Sequence, residues 1–136
     1  MNKLNLLLVI GCLILVMGCS KDAEINAFIT EFDAATNEMI AKIDADPSSA
    51  GITEAQKAFD GKKASLKSKW DDIKDAVGFQ VSADTKKKLE ESVANNMKAL
   101  MAVSTKNMMK LAVDKDASAK FQALLKDYQS TFAAGK

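Results

Sequence analysis

Four methionines are the first residues of this 136-residue chain whose type and spacing could do chemistry. Met97, Met101 and Met108 fall near one face of one helical stretch, and Met109 is adjacent. Soft thioethers in that register could hold Cu(I). Methionine also fills irregular gaps in apolar cores, and core packing is the expectation here, with a methionine-lined apolar pocket as the alternative. The carboxylates gather in two clusters, Asp71-Asp72 with Asp75, and Asp44 with Asp46. Paired carboxylates work as acid and base when burial drives their pKa values apart. Here Lys69 and Lys74 flank the first cluster, which points to a solvated face. Neither cluster has the spaced oxygen ligands of a calcium loop. Lys86-Lys87-Lys88 is the densest basic run. In the first turn of a helix it opposes the dipole, and Glu90 and Glu91, one turn on, offset it.

The missing residue types narrow the function further. There is no histidine, and all 19 basic residues are lysine. Without histidine the usual general base, zinc ligand and axial haem ligand are gone. Without arginine the best bidentate ligand for phosphate is gone. The formal net charge of +1 gives no long-range attraction to nucleic acid. A non-enzymatic protein with no metal and no cofactor is expected.

The two cysteines lie at the start of the chain. Lys3 gives a short positive region, and an apolar run extends from Leu4 to Met17. That run falls short of the roughly 20 residues a bilayer-spanning helix needs, and fits a cleaved export signal. It ends Val16-Met17-Gly18-Cys19. This resembles the lipobox of bacterial lipoproteins, with an aliphatic residue three before the cysteine and a small residue directly before it. Met17 departs from the smaller residue usual at its position. Val9-Ile10-Gly11-Cys12 fits the same pattern but leaves too short an apolar region before it.

The resemblance implies a signal peptide over 1–18 and a diacylglycerol-bearing Cys19, followed by a tether to residue 24 and a domain over 25–136. Cys12 would leave with the signal, so no thiol remains for a disulfide, a metal or catalysis. Two or three acyl chains hold a protein firmly to a membrane that it does not span. Ser20, where an aspartate would favour inner-membrane retention, points by the same resemblance to the outer membrane of a Gram-negative envelope. In that setting Lys86, Lys87 and Lys88 could contact lipopolysaccharide or peptidoglycan carboxylates. Braun's lipoprotein is similarly lipid-anchored, helical and lysine-terminated, and it is joined to peptidoglycan through that lysine. Lys136 is the corresponding residue here.

The rest of the chain supplies the elements that must place these groups. Ile25, Phe28, Ile29, Phe32, Met39, Ile40 and Ile43 recur every three or four residues, which predicts an amphipathic helix over about 22–44. The run from Asp46 to Gly51, with Pro47, predicts the clearest break. Thr53-Glu54-Ala55-Gln56 reads as a capping box that opens a second helix. Its stripe is Ile52, Phe59, Leu66, Trp70, Ile73 and Val77, with Gly78 as C-terminal cap and Phe79 folding back. Ser82 caps a third helix with the stripe Leu89, Val93, Met97, Leu100, Val103 or Ser104, Asn107 and Leu111. Asn96 and Asn107 lie close to that stripe, where a buried asparagine fixes register. A last helix carries Phe121, Leu124, Leu125, Tyr128 and Phe132 and ends near Gly135. No proline or glycine separates it from the third, so one continuous helix is the alternative.

These patterns predict an all-α fold, a small antiparallel bundle of three to four helices. The function expected is that of an envelope lipoprotein binding another macromolecule, either an envelope protein or the cell wall. The turn at 46–51 and a lysine-rich face of the second helix (Lys62, Lys63, Lys67, Lys69, Lys74) are the contacts to consider. A carrier of a small apolar ligand between the helices is the second reading.

Overall fold

The computed structural model describes residues 20–76 and 80–132. They form α1 (Asp22–Ala45), α2 (Ser49–Ile73), α3 (Ala83–Val113) and α4 (Lys115–Thr131). The fold is an all-α bundle of four helices. The signal region, Gly78 and Phe79, and the predicted helix end near Gly135 lie outside the described residues.

Local chemistry sets most of the ends. α1 begins with Asp22 and Glu24 and closes with Lys42, charges that suit its dipole. α2 starts earlier than the capping-box reading placed it. Ser48 is the N-cap, extended in backbone, and its hydroxyl accepts from the Gly51 amide at 3.5 Å. Thr53 instead sits inside the helix and donates to the Ser49 carbonyl at 2.8 Å. The break is therefore only Asp46 to Ser48, and Gly51 belongs to the first helical turn, buried against Asp46. A Cβ on Gly51 would overlap the Asp46 carbonyl oxygen and come within 2.7 Å of the Asp46 Cβ. The lack of a side chain there lets the helix start this close to the turn.

Ser82 caps α3 as its type suggests, accepting from the Thr85 amide at 3.2 Å. α3 and α4 are two helices. Asp114 alone separates them, with extended backbone and a carboxylate that accepts from the Ala117 amide at 2.9 Å. One residue that can cap replaces the missing glycine or proline.

Successive helices alternate in direction. α1 and α2 lie side by side and antiparallel, with Glu31 facing Ser65 and Lys69. α3 packs beside α1 and runs parallel to it. Ser82 meets Asp22, Asn96 meets Asp33 and Asn107 meets Asp44, which keeps a nearly constant offset along both helices. α4 runs parallel to α2 in the same way, through Ser49 with Asp116 and Gln56 with Asp127. The order around the bundle is α1, α2, α4, α3, which leaves α2 and α3 on a diagonal. The Lys21 amide donates to the Gln80 carbonyl at 3.0 Å, so the start of α1 sits beside the approach to α3.

The core collects one stripe from each helix. Ile25, Phe28, Met39 and Ile43 of α1, Ile52 and Phe59 of α2, Leu100 of α3 and Leu124 of α4 are almost fully buried. Lengths are unequal. α3 has 31 residues and α4 has 17, or about 46 and 25 Å at 1.5 Å per residue. The bundle has four helices at the α1–α2 turn and three at the opposite end.

Candidate functional site

Where α4 ends, the core turns aromatic. Phe28 and Phe32 stack with ring centroids 5.4 Å apart, and Phe28 lies 5.6 Å from Trp70. Tyr128 lies 5.7 Å from Phe32 and 5.4 Å from Phe59. Phe132, just past the end of α4, sets its edge toward Phe32 and Tyr128. These rings do not close completely. They leave a cavity of about 220 Å³ lined by Phe28, Phe32, Trp70, Val93, Met97, Tyr128, Gln129 and Phe132, with every helix contributing. A larger hollow of about 420 Å³ lies at the α1–α2 turn, open to solvent and lined by Lys42, Ala45, Asp46, Ala50, Gly51, Thr53 and Glu54. The smaller cavity is the one enclosed by large apolar side chains, as binding sites for small molecules are.

Trp70, Tyr128 and Gln129 are the polar residues of the wall, and Thr36 is bonded to the second of them. Thr36 gives its single hydroxyl proton to the Phe32 carbonyl at 2.9 Å. The Tyr128 hydroxyl, 2.7 Å from Thr36 Oγ1, must then be the donor of that pair. The Trp70 indole N–H is buried and has no hydrogen-bond partner among the described residues.

Burial pushes the Tyr128 phenol above its ordinary value of 10.0; the Thr36 bond opposes the shift and the Asp33 charge adds to it. Folding therefore favours the neutral phenol. Its contribution to stability is complete below pH about 10 and is lost as pH rises beyond that. Tyr128 is the one tyrosine in the chain, so tyrosinate absorbance reports it alone. In an alkaline titration that absorbance should rise above the pH expected for a free phenol, together with loss of helical circular dichroism. A titration at the free-phenol pH with the helices intact would contradict this burial.

A polar seam joins α1 and α3. Asp33 accepts from Ser92 and, at 2.7 Å, from Asn96. Asp44 accepts from Asn107 at 3.3 Å and pairs with Lys106 at 3.1 Å. Asn96 and Asn107 are both buried, and their partners Asp33 and Asp44, about three turns apart on α1, match their own spacing on α3. Val93, assigned to the core stripe by spacing, is 44% exposed because Ser92 and Asn96 face α1 in its place.

The methionine expectation is corrected. Met101, Met108 and Met109 of α3 are exposed by 64, 62 and 83%, and Val113 by 84%. Only Met97 is half-buried, in the cavity wall. The reason is the bundle's geometry: the inward positions of α3 go to Leu100, Val103, Asn107 and Leu111. The methionines form an apolar rim beyond them.

The lysines of α2 are mostly paired with acids. Lys63 pairs with Asp127 of α4 and Lys69 with Glu31 of α1. Lys67 and Lys74 both bind Asp71, at 2.8 and 2.9 Å. Of the five lysines, Lys62 makes no ion pair among the described residues. The two inter-helix pairs hold the Asp127 and Glu31 carboxyls below their usual range, chiefly by hydrogen bonds from the lysines. Asp71 is lowered by Lys67 and Lys74 in the same way. The side chains of Lys86, Lys87 and Lys88 are all exposed in the first turns of α3, with Lys87 3.8 Å from Glu91. Asp44 is engaged in the α3 seam, and Asp46 is lowered below its usual range mainly by hydrogen bonds from Ser48.

Among the described residues no group of three or more carboxylates or thiols could hold a metal ion, and no helix is long and apolar enough to cross a membrane. Val16, Met17, Gly18, Cys19 and Lys136 lie outside the described residues. The cavity and its unpartnered indole are the features spacing did not reveal. The signal for them was the aromatic density of Phe28, Phe32, Tyr128 and Phe132 in the sequence. No protein-family model matches the chain, and comparison with curated proteins and with solved structures finds no match.

Proposed function

We propose that this chain is an envelope lipoprotein, held to a membrane through lipid on Cys19, whose bundle binds another macromolecule and catalyses no reaction. The observation that carries the binding role is the exposed apolar rim of α3. Met101, Met108, Met109 and Val113 lie along the distal half of one helix. Contiguous apolar side chains left in water mark interaction surfaces, and methionine adapts its shape to a partner better than a branched residue. Most lysines of α2 are paired with acids, whereas the rim residues expose apolar surface to water. The lipobox resemblance at Val16-Met17-Gly18-Cys19 supports the anchor, and Ser20 supports the outer membrane.

A photo-crosslinking residue placed at Met109 in intact cells tests this, with one at Lys57 on the far side of the bundle as reference. One dominant adduct at Met109, absent at Lys57 and lost in Cys19→Ala, is the expected outcome. Equal labelling from both positions would remove the rim from consideration. Material carried only through Lys136 would move the protein to wall attachment.

A further inference from the structure

We infer that the aromatic cavity is a binding site for a small, neutral, apolar molecule that carries one hydrogen-bond acceptor, which the Trp70 indole N–H engages. The inference stands apart from the reading above, since neither Cys19 nor the α3 rim enters it. The cavity holds about 220 Å³, more than the roughly 150 Å³ apolar cavity that accommodates benzene. Its apolar walls are Phe28, Phe32 and Phe132 with Met97 and Val93, and no charged side chain lines it. A charged ligand would be desolvated there without compensation, so the ligand is neutral.

The acceptor follows from Trp70. A buried N–H left without a partner costs free energy that one acceptor recovers. Water is a poorer candidate, because a buried water needs two to four polar partners and the Tyr128 oxygen, which can only accept, is the one it would find inside the wall besides the indole. The other polar wall groups are Tyr128, whose proton is committed to Thr36, and Gln129, which is exposed. A carbonyl or ether oxygen needs only the one donor. Entry is available beside Val93, 44% exposed and in the cavity wall beyond the end of α4.

Trp70 is the one tryptophan of the chain, so its indole N–H gives a single resonance. The full-length chain in nanodiscs, with nitrogen-labelled tryptophan, is titrated with acetophenone and with α-methylstyrene, in which a methylene replaces the carbonyl oxygen. Acetophenone should move the indole proton downfield along a saturating curve, while α-methylstyrene should perturb it without the downfield displacement. Val93→Phe and Met97→Phe each add bulk at the wall and should weaken acetophenone binding roughly tenfold or more. Two substitutions guard against one of them misfolding, which the dispersion of the amide spectrum would reveal. An indole resonance that neither compound moves, or that drifts linearly as in simple partitioning into lipid, overturns the site. So does a titration unchanged in both folded variants. A downfield displacement as large with α-methylstyrene would overturn the acceptor.

Discussion

Gly51→Ala will destabilise the bundle by about 3 kcal/mol and lower its melting temperature by roughly 15 °C, while Gly61→Ala in the same helix will raise it. Both glycines lie in α2, and neither has a positive φ. The difference is space. A methyl group on Gly51 would run into the backbone of Asp46. Backbone cannot rotate aside, so α2 must shift or its first turn must open. Either movement disturbs Ile52, which is fully buried next to it. Gly61 has nothing within 4 Å of the position its Cβ would take. Alanine there gains helix propensity and loses unfolded-state entropy, worth about 0.5–1 kcal/mol. Paired thermal melts followed by circular dichroism decide the matter. Shifts of the same sign in the two variants would mean that the close approach to Asp46 does not limit the fold.

Phe59→Ala should cost about 3–5 kcal/mol, a large fraction of the stability of a domain this size. Phe59 is fully buried and connects α2 to the aromatic group of α4, with Tyr128 at 5.4 Å and Phe132 at 6.4 Å. Truncation removes the transfer free energy of the ring and leaves a void that rigid helices fill only in part. Met109→Ala, at 83% exposure, is the reference and should fall within about 0.5 kcal/mol of the parent chain. Chemical denaturation of both variants gives the comparison. A Phe59→Ala loss below about 1 kcal/mol would show that the surrounding helices collapse onto the site.

The apolar period made the helices legible. Ile25, Phe28, Phe32, Met39 and Ile43 are buried as their spacing requires, and Ser82 caps α3 as its type suggests. What spacing could not say was which helix each stripe would face. α3 carries more apolar and amide residues than one inward face can use. Seen along the sequence, Val93, Met97 and Met101 look as inward as Leu100. The pairing of Asp33 with Ser92 and Asn96 turns that side of α3 toward α1, and Met101, Met108 and Met109 lie outside. The partners of the α2 lysines were hidden for a related reason. Lys63 and Lys69 find their acids on other helices, 64 and 38 residues away in sequence, a distance at which local charge pattern carries no information. The site was the least legible part, because a cavity is a shortage of volume among four helices and belongs to no single stretch. The capping box failed on competition: Ser48, directly after Pro47, offers the same hydroxyl one turn and a half sooner.

The parallel course of α1 and α3 gives the molecule two unlike poles. Lys21, Lys86, Lys87 and Lys88 all lie near the pole where both helices begin, and Met109 and Val113 lie near the other. With lipid on Cys19, only Ser20 and Lys21 would separate the acyl chains from the first helix, too little chain to let the bundle swing freely. The lysine pole would then rest at the headgroups, where each basic side chain adds about 1 kcal/mol of attraction to an anionic surface. The Met109–Val113 end of the rim would stand off by most of the length of α3, some 40 Å. On the proposed anchor such a build would serve as a strut, fixing the height above the bilayer at which a partner could be met.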